Sequence, residues 1–398
     1  GLKPVQRRIL HTLLEIDDGR MHKVAGVAGD CMKIHPHGDA SIMTALVNLA
    51  NKELFIDKQG NFGNMYTGDS AAAGRYIECR IKPITKDIIY NPKITQYVPS
   101  YDGRTKEPVV FRAKLPLVLI LGAEGIAVGM STQIMSHNVH EVIEAEKACL
   151  RGESFQLFPD FPTGGIIYGK SGIKQAYKTG RGKIIVRGRF SIEVSKSGKE
   201  SIIFTEIPYQ VRTDDLCKKI GELARDKVIE GIDRVNDGSA GDDVRIEIGL
   251  KRGTIAKVVL NQLFSKTPLQ SSFGIINLAL VNGRPEVLSL KKLISCFVEH
   301  RQDVVTRRTQ FELKKAEERA HILRALVKAI QNIDEVIKII KESRNEEVAK
   351  NSLKDRFQFD DVQAQAIVDM RLGRLTSLEI EKLEAELKEV EALILHLK

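Results

Sequence analysis

With 398 residues, 42% of them apolar and 28% charged, the sequence has the composition of an ordinary soluble protein and exceeds what one hydrophobic core usually holds, so two or three domains are expected. Trp is absent and aromatics make up 6%, which disfavours stacking of single-stranded bases, and neither a bilayer-spanning apolar run nor a secretory signal is visible. The formal charge of +9 is uneven: residues 299–398 hold 19 basic and 20 acidic side chains, leaving 42 against 32 in the first 298. That suits either a polyanion-binding body on a neutral helical support or a mildly basic surface without a partner.

In chain order, "VQRRILHTLLEI" places Val5, Ile9, Leu10, Leu13 and Leu14 on one helical stripe, and "VAGVAGDCMKI" reads as a second short helix. Pro36 and Gly38 in "HPHGD" break the chain. Asp39 is then the expected N-cap of a helix whose Ile42, Leu46 and Leu49 share a face. Helix, tight break and helix outline a helix-turn-helix. Residues 54–80 are loop-rich, and 108–130 read as strand-like apolar runs around a Gly-rich turn. Residues 160–300 mix strands ("GKIIVRGRF", "SIIFTEI", "DVRIEIGL") with helices ("DLCKKIGELARDKVI", "TIAKVVLNQLF"), an α+β pattern. Leu323, Leu326, Ile330, Ile333, Ile337 and Ile340 step by heptads, as do Ile380, Leu383, Leu387, Val390, Ile394 and Leu397. With a polar break near 342–360, these predict an antiparallel coiled-coil hairpin capped by a small helical turn.

Most catalytic constellations are missing from the sequence. It has no GxxxxGK[ST] loop, no HExxH, no GxSxG, and no CxxC among the five widely spaced cysteines Cys31, Cys79, Cys149, Cys217 and Cys296. An odd cysteine count without pairs fits a reducing cytoplasm. His35 and His37 in "HPHG" read as polar or phosphate contacts rather than metal ligands, and no metal site is expected. The stretch "AAAGRYIECR" sets Arg75 and Tyr76 behind a run of small residues. Tyr76 is either a core ring or a nucleophile. A phenol with its ordinary pKa of about 10 would need deprotonation or metal assistance to attack a phosphodiester. Arg75 could hold the phosphoryl oxygens, and the small residues would let a duplex approach.

The motifs "GLKPVQRRIL", "HPHGDAS", "QGNFG", "GDSAAAGRY", "GIAVGMSTQI", "DFPTGG", "EIPYQV" and "QAQAIVDMRLGRLTSLE" occur in this order from residue 1 to residue 379. Together they resemble the breakage–reunion core of the A subunit of bacterial type IIA DNA topoisomerases, DNA gyrase and topoisomerase IV. The resemblance implies an α+β multidomain fold. Its parts would be a winged-helix cleavage domain (1–115), an α/β tower domain (116–298), and a coiled coil with a helical dimer gate (299–398). It implies that Tyr76 attacks a DNA phosphate and becomes joined to the 5′ end while Arg75 stabilises the transition state. As a transesterification, this step retains the bond energy, so the break reseals without ATP. Two chains would cut both strands and pass another duplex, changing DNA topology by supercoiling or decatenation. Lys3, His35 and His37, with Arg7 and Arg8 nearby, would contact or position the DNA, and Ile134 would wedge between base pairs. No cofactor is expected on this chain. Mg2+ and ATP would sit on a partner B subunit in an A2B2 heterotetramer built on a homodimer of this chain, in the bacterial cytoplasm at the nucleoid, with no membrane partner.

Departures from the family pattern qualify these expectations. Ala40 and Thr44 stand where a serine and an acidic residue commonly support quinolone binding through a magnesium–water bridge, so weak quinolone sensitivity is expected. Met135 and Ser136 replace two prolines after Ile134, which loosens the backbone there. Gly74 stands where methionine is usual before the arginine, and the slightly longer loop "GNMYT" brings in a second tyrosine, Tyr66. The family's upstream segment, with another basic active-site residue, and its C-terminal DNA-wrapping domain lie outside this sequence. The chain starts without Met and is expected to be part of a longer protein. The alternatives are a cleavage-deficient DNA-binding dimeric scaffold or a different tyrosine transesterase such as a recombinase. The heptads and ordered motifs oppose the recombinase.

Overall fold

A computed structural model describes residues 1–370 and 377–398, in two units, Gly1–Arg301 and Gln302–Lys398. The final motif, "QAQAIVDMRLGRLTSLE", therefore lies partly outside the described residues.

Helix α1 (Pro4–Glu15) starts at a proline whose missing N–H costs nothing in the first turn, and Gln6 reaches back to accept from the Lys3 N–H at 2.9 Å. Its expected stripe is the buried one: Ile9, Leu10 and Leu13 are almost fully enclosed. Strand β1 (His22–Lys23), α2 (Val24–Cys31) and α3 (Asp39–Ala50) follow, so two short helices flank the "HPHG" turn as expected. Gly38 is the N-cap of α3, one residue before the expected Asp39; Asp39 is the first helical residue, its carboxylate in the turn where the helix dipole favours an anion. The loop-rich 54–80 segment also holds two strands that the sequence did not signal, β2 (Ile56–Gln59) and β3 (Glu78–Ile81). They are too short to show periodicity, and pairing with β1 in the order β1-β3-β2 stabilises them. One core joins α1, α2, α3 and this sheet, including Phe55, Ile77 and Cys79. Each such buried Ile, Leu or Phe contributes about 1.5–3 kcal/mol.

Helix α4 (Pro83–Ile89) leads to a ribbon of β4 (Tyr97–Pro99) and β5 (Lys106–Pro108), in which Val98 pairs with Glu107. The apolar run expected as a strand near 117 is instead a short helix, α5 (Leu117–Leu121), because Pro116 precedes it and Leu117, Leu119 and Ile120 turn onto the core. The Gly-rich turn then joins β6 (Ala123–Ala127) to β7 (Met130–Ile134) as a hairpin. Its tip is bare: Ile126 is 90% and Val128 100% exposed.

Asn138 caps α6 (Val139–Leu150) by accepting from the N–H groups of His140 and Glu141. The remaining α+β elements are β8 (Ile166–Ile167), α7 (Ser171–Thr179), β9 (Arg181–Arg187), β10 (Arg189–Val194), β11 (Glu200–Glu206), α8 (Thr213–Arg225), β12 (Ile232–Asp237), β13 (Ile246–Leu250), α9 (Ala256–Lys266), β14 (Gln270–Ile276), β15 (Leu278–Val281) and β16 (Arg284–Val287). They form a five-stranded sheet, β6-β7-β14-β9-β8, and a four-stranded sheet, β10-β11-β13-β12. In β13, Ile246 and Ile248 are buried either side of the more exposed Glu247, the period-two signature of a half-buried strand. Leu216 and Ile220 of α8 and Leu263 of α9 close the core under the four-stranded sheet.

Helix α10 (Leu290–Gln331) is 42 residues long and is followed by α11 (Ile333–Glu342), α12 (Glu346–Phe357), α13 (Asp361–Val368) and α14 (Ser377–Leu397). The first expected heptad run is interrupted at Asn332, the N-cap of α11, so Val336 is buried where the stripe predicted Ile337. In the second unit, Leu323, Leu326 and Ile330 share a core with Leu353, Phe357 and Leu383. Arg319 meets Glu386, Arg324 meets Glu391, and Glu317 meets Lys398. From Arg324–Glu391 to Glu317–Lys398 the pairing steps back along α10 and forward along α14, so these two pairs run antiparallel.

Candidate functional site

The segment before β3 is clamped onto the start of α2. The N–H groups of Val24 and Ala25, unpaired by the helix itself, donate to the carbonyls of Ile77 (3.1 Å) and Gly74 (3.0 Å). These two acceptors bracket Arg75 and Tyr76, fixing the backbone on both sides while both side chains stay outside. Tyr76 is 64% exposed, and the Arg75 guanidinium carbon lies 4.6 Å from its ring centroid. Among the described residues the Tyr76 hydroxyl has no hydrogen-bond partner. Tyr76 is therefore not a core ring.

The small residues before it are partly used internally. Ala72 packs on the core. A Cβ at Gly74 would meet the Met43 Sδ at 2.7 Å and the Ala25 nitrogen at 3.2 Å. In this chain Met43 of α3 thus fills space beside the backbone that carries Arg75.

At the other end of α2 lies a second polar group. Arg8 donates from Nε and Nη2 to the two oxygens of Glu107 (2.7 and 2.8 Å) and from Nη1 to His35 Nδ1 (2.9 Å). Arg7 adds a longer contact to Glu107 at 3.5 Å. Glu107 and His35 are buried, and the His35 ring meets the exposed His37 ring edge-on at 4.7 Å. The Arg8 hydrogen bonds hold the Glu107 carboxyl below the usual carboxylate range and raise the pKa of Arg8 itself. Burial, then the charge of Arg8 and the neighbouring His37, lowers the pKa of His35.

The expected site residues thus fall at two ends of one helix. Arg75 and Tyr76 sit at its start; His35 and His37 follow its end. Eight residues make α2 about 12 Å long, so these groups form no single hydrogen-bonded cluster within one chain. Lys3 is exposed at the start of α1, whereas Arg8 is engaged with Glu107 and His35. Ile134, the expected wedge, is 5% exposed in this chain, opposite Ala123 in the hairpin, and packed in a core with Leu119 and Val142. The exposed apolar side chains belong to the tip, Ile126 and Val128, earlier in the same motif. Tyr66, the second tyrosine that the loop brings in, is tied into the fold. Its hydroxyl donates to the Pro162 carbonyl (3.0 Å), its ring packs on the core of the four-stranded sheet, and burial raises its pKa. Sequence reading missed Glu107 entirely; no local pattern marks a buried acid 99 residues from its arginine.

Among the described residues, no group of three or more His, Cys, Asp or Glu is placed to hold a metal ion, and no helix is long and apolar enough to cross a membrane.

A family model that describes the A subunit of DNA gyrase/topoisomerase IV matches residues 1–398. The chain is 50% identical to the DNA gyrase A subunit of Treponema pallidum (strain Nichols), over 99% of this chain and 51% of that protein. It is 46% identical to the DNA gyrase A subunit of Staphylococcus aureus (strain MRSA252), over 98% of this chain and 46% of that protein. The chain belongs to the family of DNA gyrase and topoisomerase IV A subunits. It spans about half the length of the curated relatives it matches.

Proposed function

We propose that this chain is the DNA breakage–reunion core of an ATP-dependent type II DNA topoisomerase, with Tyr76 as nucleophile and Arg75 as the cation that stabilises charge on the attacked phosphate. The observation that carries the reading is the exposed Arg75–Tyr76 pair on a backbone fixed from both sides by α2. The phenol gives up its proton and its oxygen attacks phosphorus, the 3′ oxygen of the preceding nucleotide leaves and takes up a proton to become a hydroxyl, and a 5′-phosphotyrosyl link forms; reversal reseals the strand. The stacked position of Arg75 is a resting one. An exposed cation–π contact contributes about 0.5–1 kcal/mol, whereas a charge-assisted bond to a phosphate contributes about 1.5–3 kcal/mol. A DNA phosphate therefore draws the guanidinium off the ring.

In this reading residues 1–115 are a winged-helix cleavage domain, 116–298 a tower domain, and 299–398 a coiled coil with a dimer gate. The chain acts as a homodimer on double-stranded DNA, with a B subunit that carries Mg2+ and ATP, in the bacterial cytoplasm at the nucleoid. Lys3 and His37 meet the DNA backbone, His35, Arg7 and Arg8 lie behind them, and the β6–β7 hairpin that carries Ile134 supplies the wedge between base pairs.

The test is denaturant-trapped cleavage of supercoiled DNA by the chain assembled with its B subunit and Mg2+. Protein-linked breaks are expected for wild type and Tyr66→Phe and none for Tyr76→Phe. Breaks that persist in Tyr76→Phe would move the nucleophile elsewhere. DNA binding without breaks in wild type would leave a DNA-binding scaffold.

A further inference from the structure

We infer that Glu107 is a positioning residue of the nucleic-acid face: by clamping Arg8 it holds His35 as the neutral Nε2–H tautomer, and through that ring it sets the orientation of the exposed His37. The inference rests on the DNA-binding part of the proposed function, not on cleavage by Tyr76.

The argument is one of donors and acceptors. A guanidinium has five N–H groups and no acceptor. The 2.9 Å contact between Arg8 Nη1 and His35 Nδ1 therefore requires a lone pair on Nδ1, which leaves the proton on Nε2. Arg8 cannot rotate away, because its Nε and Nη2 are held by both oxygens of Glu107, a two-point clamp in the plane of the guanidinium. Glu107 in turn is fixed by strand pairing with Val98 in the β4–β5 ribbon.

The charged and titratable groups facing His35 come from three places: Arg8 on α1, Glu107 on β5, and His37 on its own turn. Two imidazoles 4.7 Å apart resist carrying two charges. With Arg8 also adjacent, the buried ring stays neutral. The exposed His37 ring is left to meet a phosphate, braced edge-on by His35. His35 thus shapes the site without adding a charge, and it releases no counterion when DNA binds.

Long-range 1H–15N spectra of the 15N-histidine-labelled chain test this, with His35→Gln assigning the His35 signals. Wild type is expected to show an unprotonated Nδ1 and a protonated Nε2 at pH 7. Glu107→Gln and Arg8→Lys are expected to give averaged tautomer shifts and roughly tenfold weaker binding of a fluorescent duplex. His37→Gln should weaken duplex binding by removing the exposed ring, and His35→Gln should leave the slope of log affinity against log salt unchanged. A His35 ring protonated on Nδ1 or on both nitrogens in wild type would overturn the inference even if no variant folds. So would an unchanged tautomer in a folded Glu107→Gln. Failure to cleave DNA would overturn the catalytic reading and leave this one standing.

Discussion

His137 closes the base of the exposed hairpin, and its burial makes a pH dependence that can be worked out in sign and size. Its Nδ1–H donates to the Leu119 carbonyl at 2.8 Å, and its Nε2 accepts from the Tyr177 hydroxyl at 2.5 Å. The ring is 4% exposed, and burial pulls its pKa down to about 4 from the ordinary value of 6.5. A lowered histidine pKa means that the unfolded chain binds the proton first, so the contribution is complete above about pH 6.5 and is lost as pH falls towards 4. At 1.36 kcal/mol per pKa unit the whole effect is about 3 kcal/mol, of which about 2 kcal/mol falls between pH 7.5 and pH 5. Glu146 works in the opposite sense. Burial raises its pKa to about 7, so its destabilising effect is relieved as pH falls, and its partial exposure makes that effect smaller. The assay is urea unfolding of the unit that contains α5, α6 and α7, followed by local probes at the two pH values, for wild type, His137→Gln and Glu146→Gln. The wild-type loss on acidification should shrink by about 2 kcal/mol in His137→Gln and grow in Glu146→Gln. Equal pH dependence in wild type and His137→Gln, or an NMR titration of His137 near 6.5, would refute the reasoning.

Other perturbations separate structural from functional roles. Gly74→Met drives a Cβ to within 2.7 Å of Met43 Sδ; it should cost about 1–3 kcal/mol and reduce cleavage, with Met43→Ala recovering part of both. Strict additivity in that double-mutant cycle would disprove the contact. Ile126→Ser should leave the melting temperature unchanged while weakening DNA bending in an energy-transfer assay, whereas Ile134→Ser should destabilise the hairpin core by about 2–4 kcal/mol. Thr44 Oγ1 donates back to the Ala40 carbonyl at 2.9 Å, so this face of α3 offers neither a carboxylate nor a free serine hydroxyl at these two positions. Quinolone-stabilised cleavage should be weak and should strengthen in Ala40→Ser/Thr44→Asp; strong drug-stabilised cleavage by wild type would contradict this.

Much of the site's local order was legible in the sequence. The stripe Ile9, Leu10 and Leu13, the shared face of Ile42, Leu46 and Leu49, and the break at Pro36 and Gly38 located α1, α2 and α3. Adjacency alone joined Arg75 to Tyr76 and put His35 and His37 on one turn. These features depend on helical period and turn chemistry, which act within a few residues. Other features were settled only in three dimensions. Ile126 and Ile134 are both isoleucines of one motif, yet strand register leaves the first bare and seals the second into a core. Heptad spacing could not show that Asn332 interrupts the helix. Glu107 meets Arg8 across 99 residues, and Met43 meets the Gly74 backbone from another helix, because β4–β5 and the Tyr76 segment fold back onto α1, α2 and α3. A single sequence carries the period of each element openly. Which elements meet, and in what register, is a joint property of the packed core, where burial and hydrogen-bond pairing must be satisfied together.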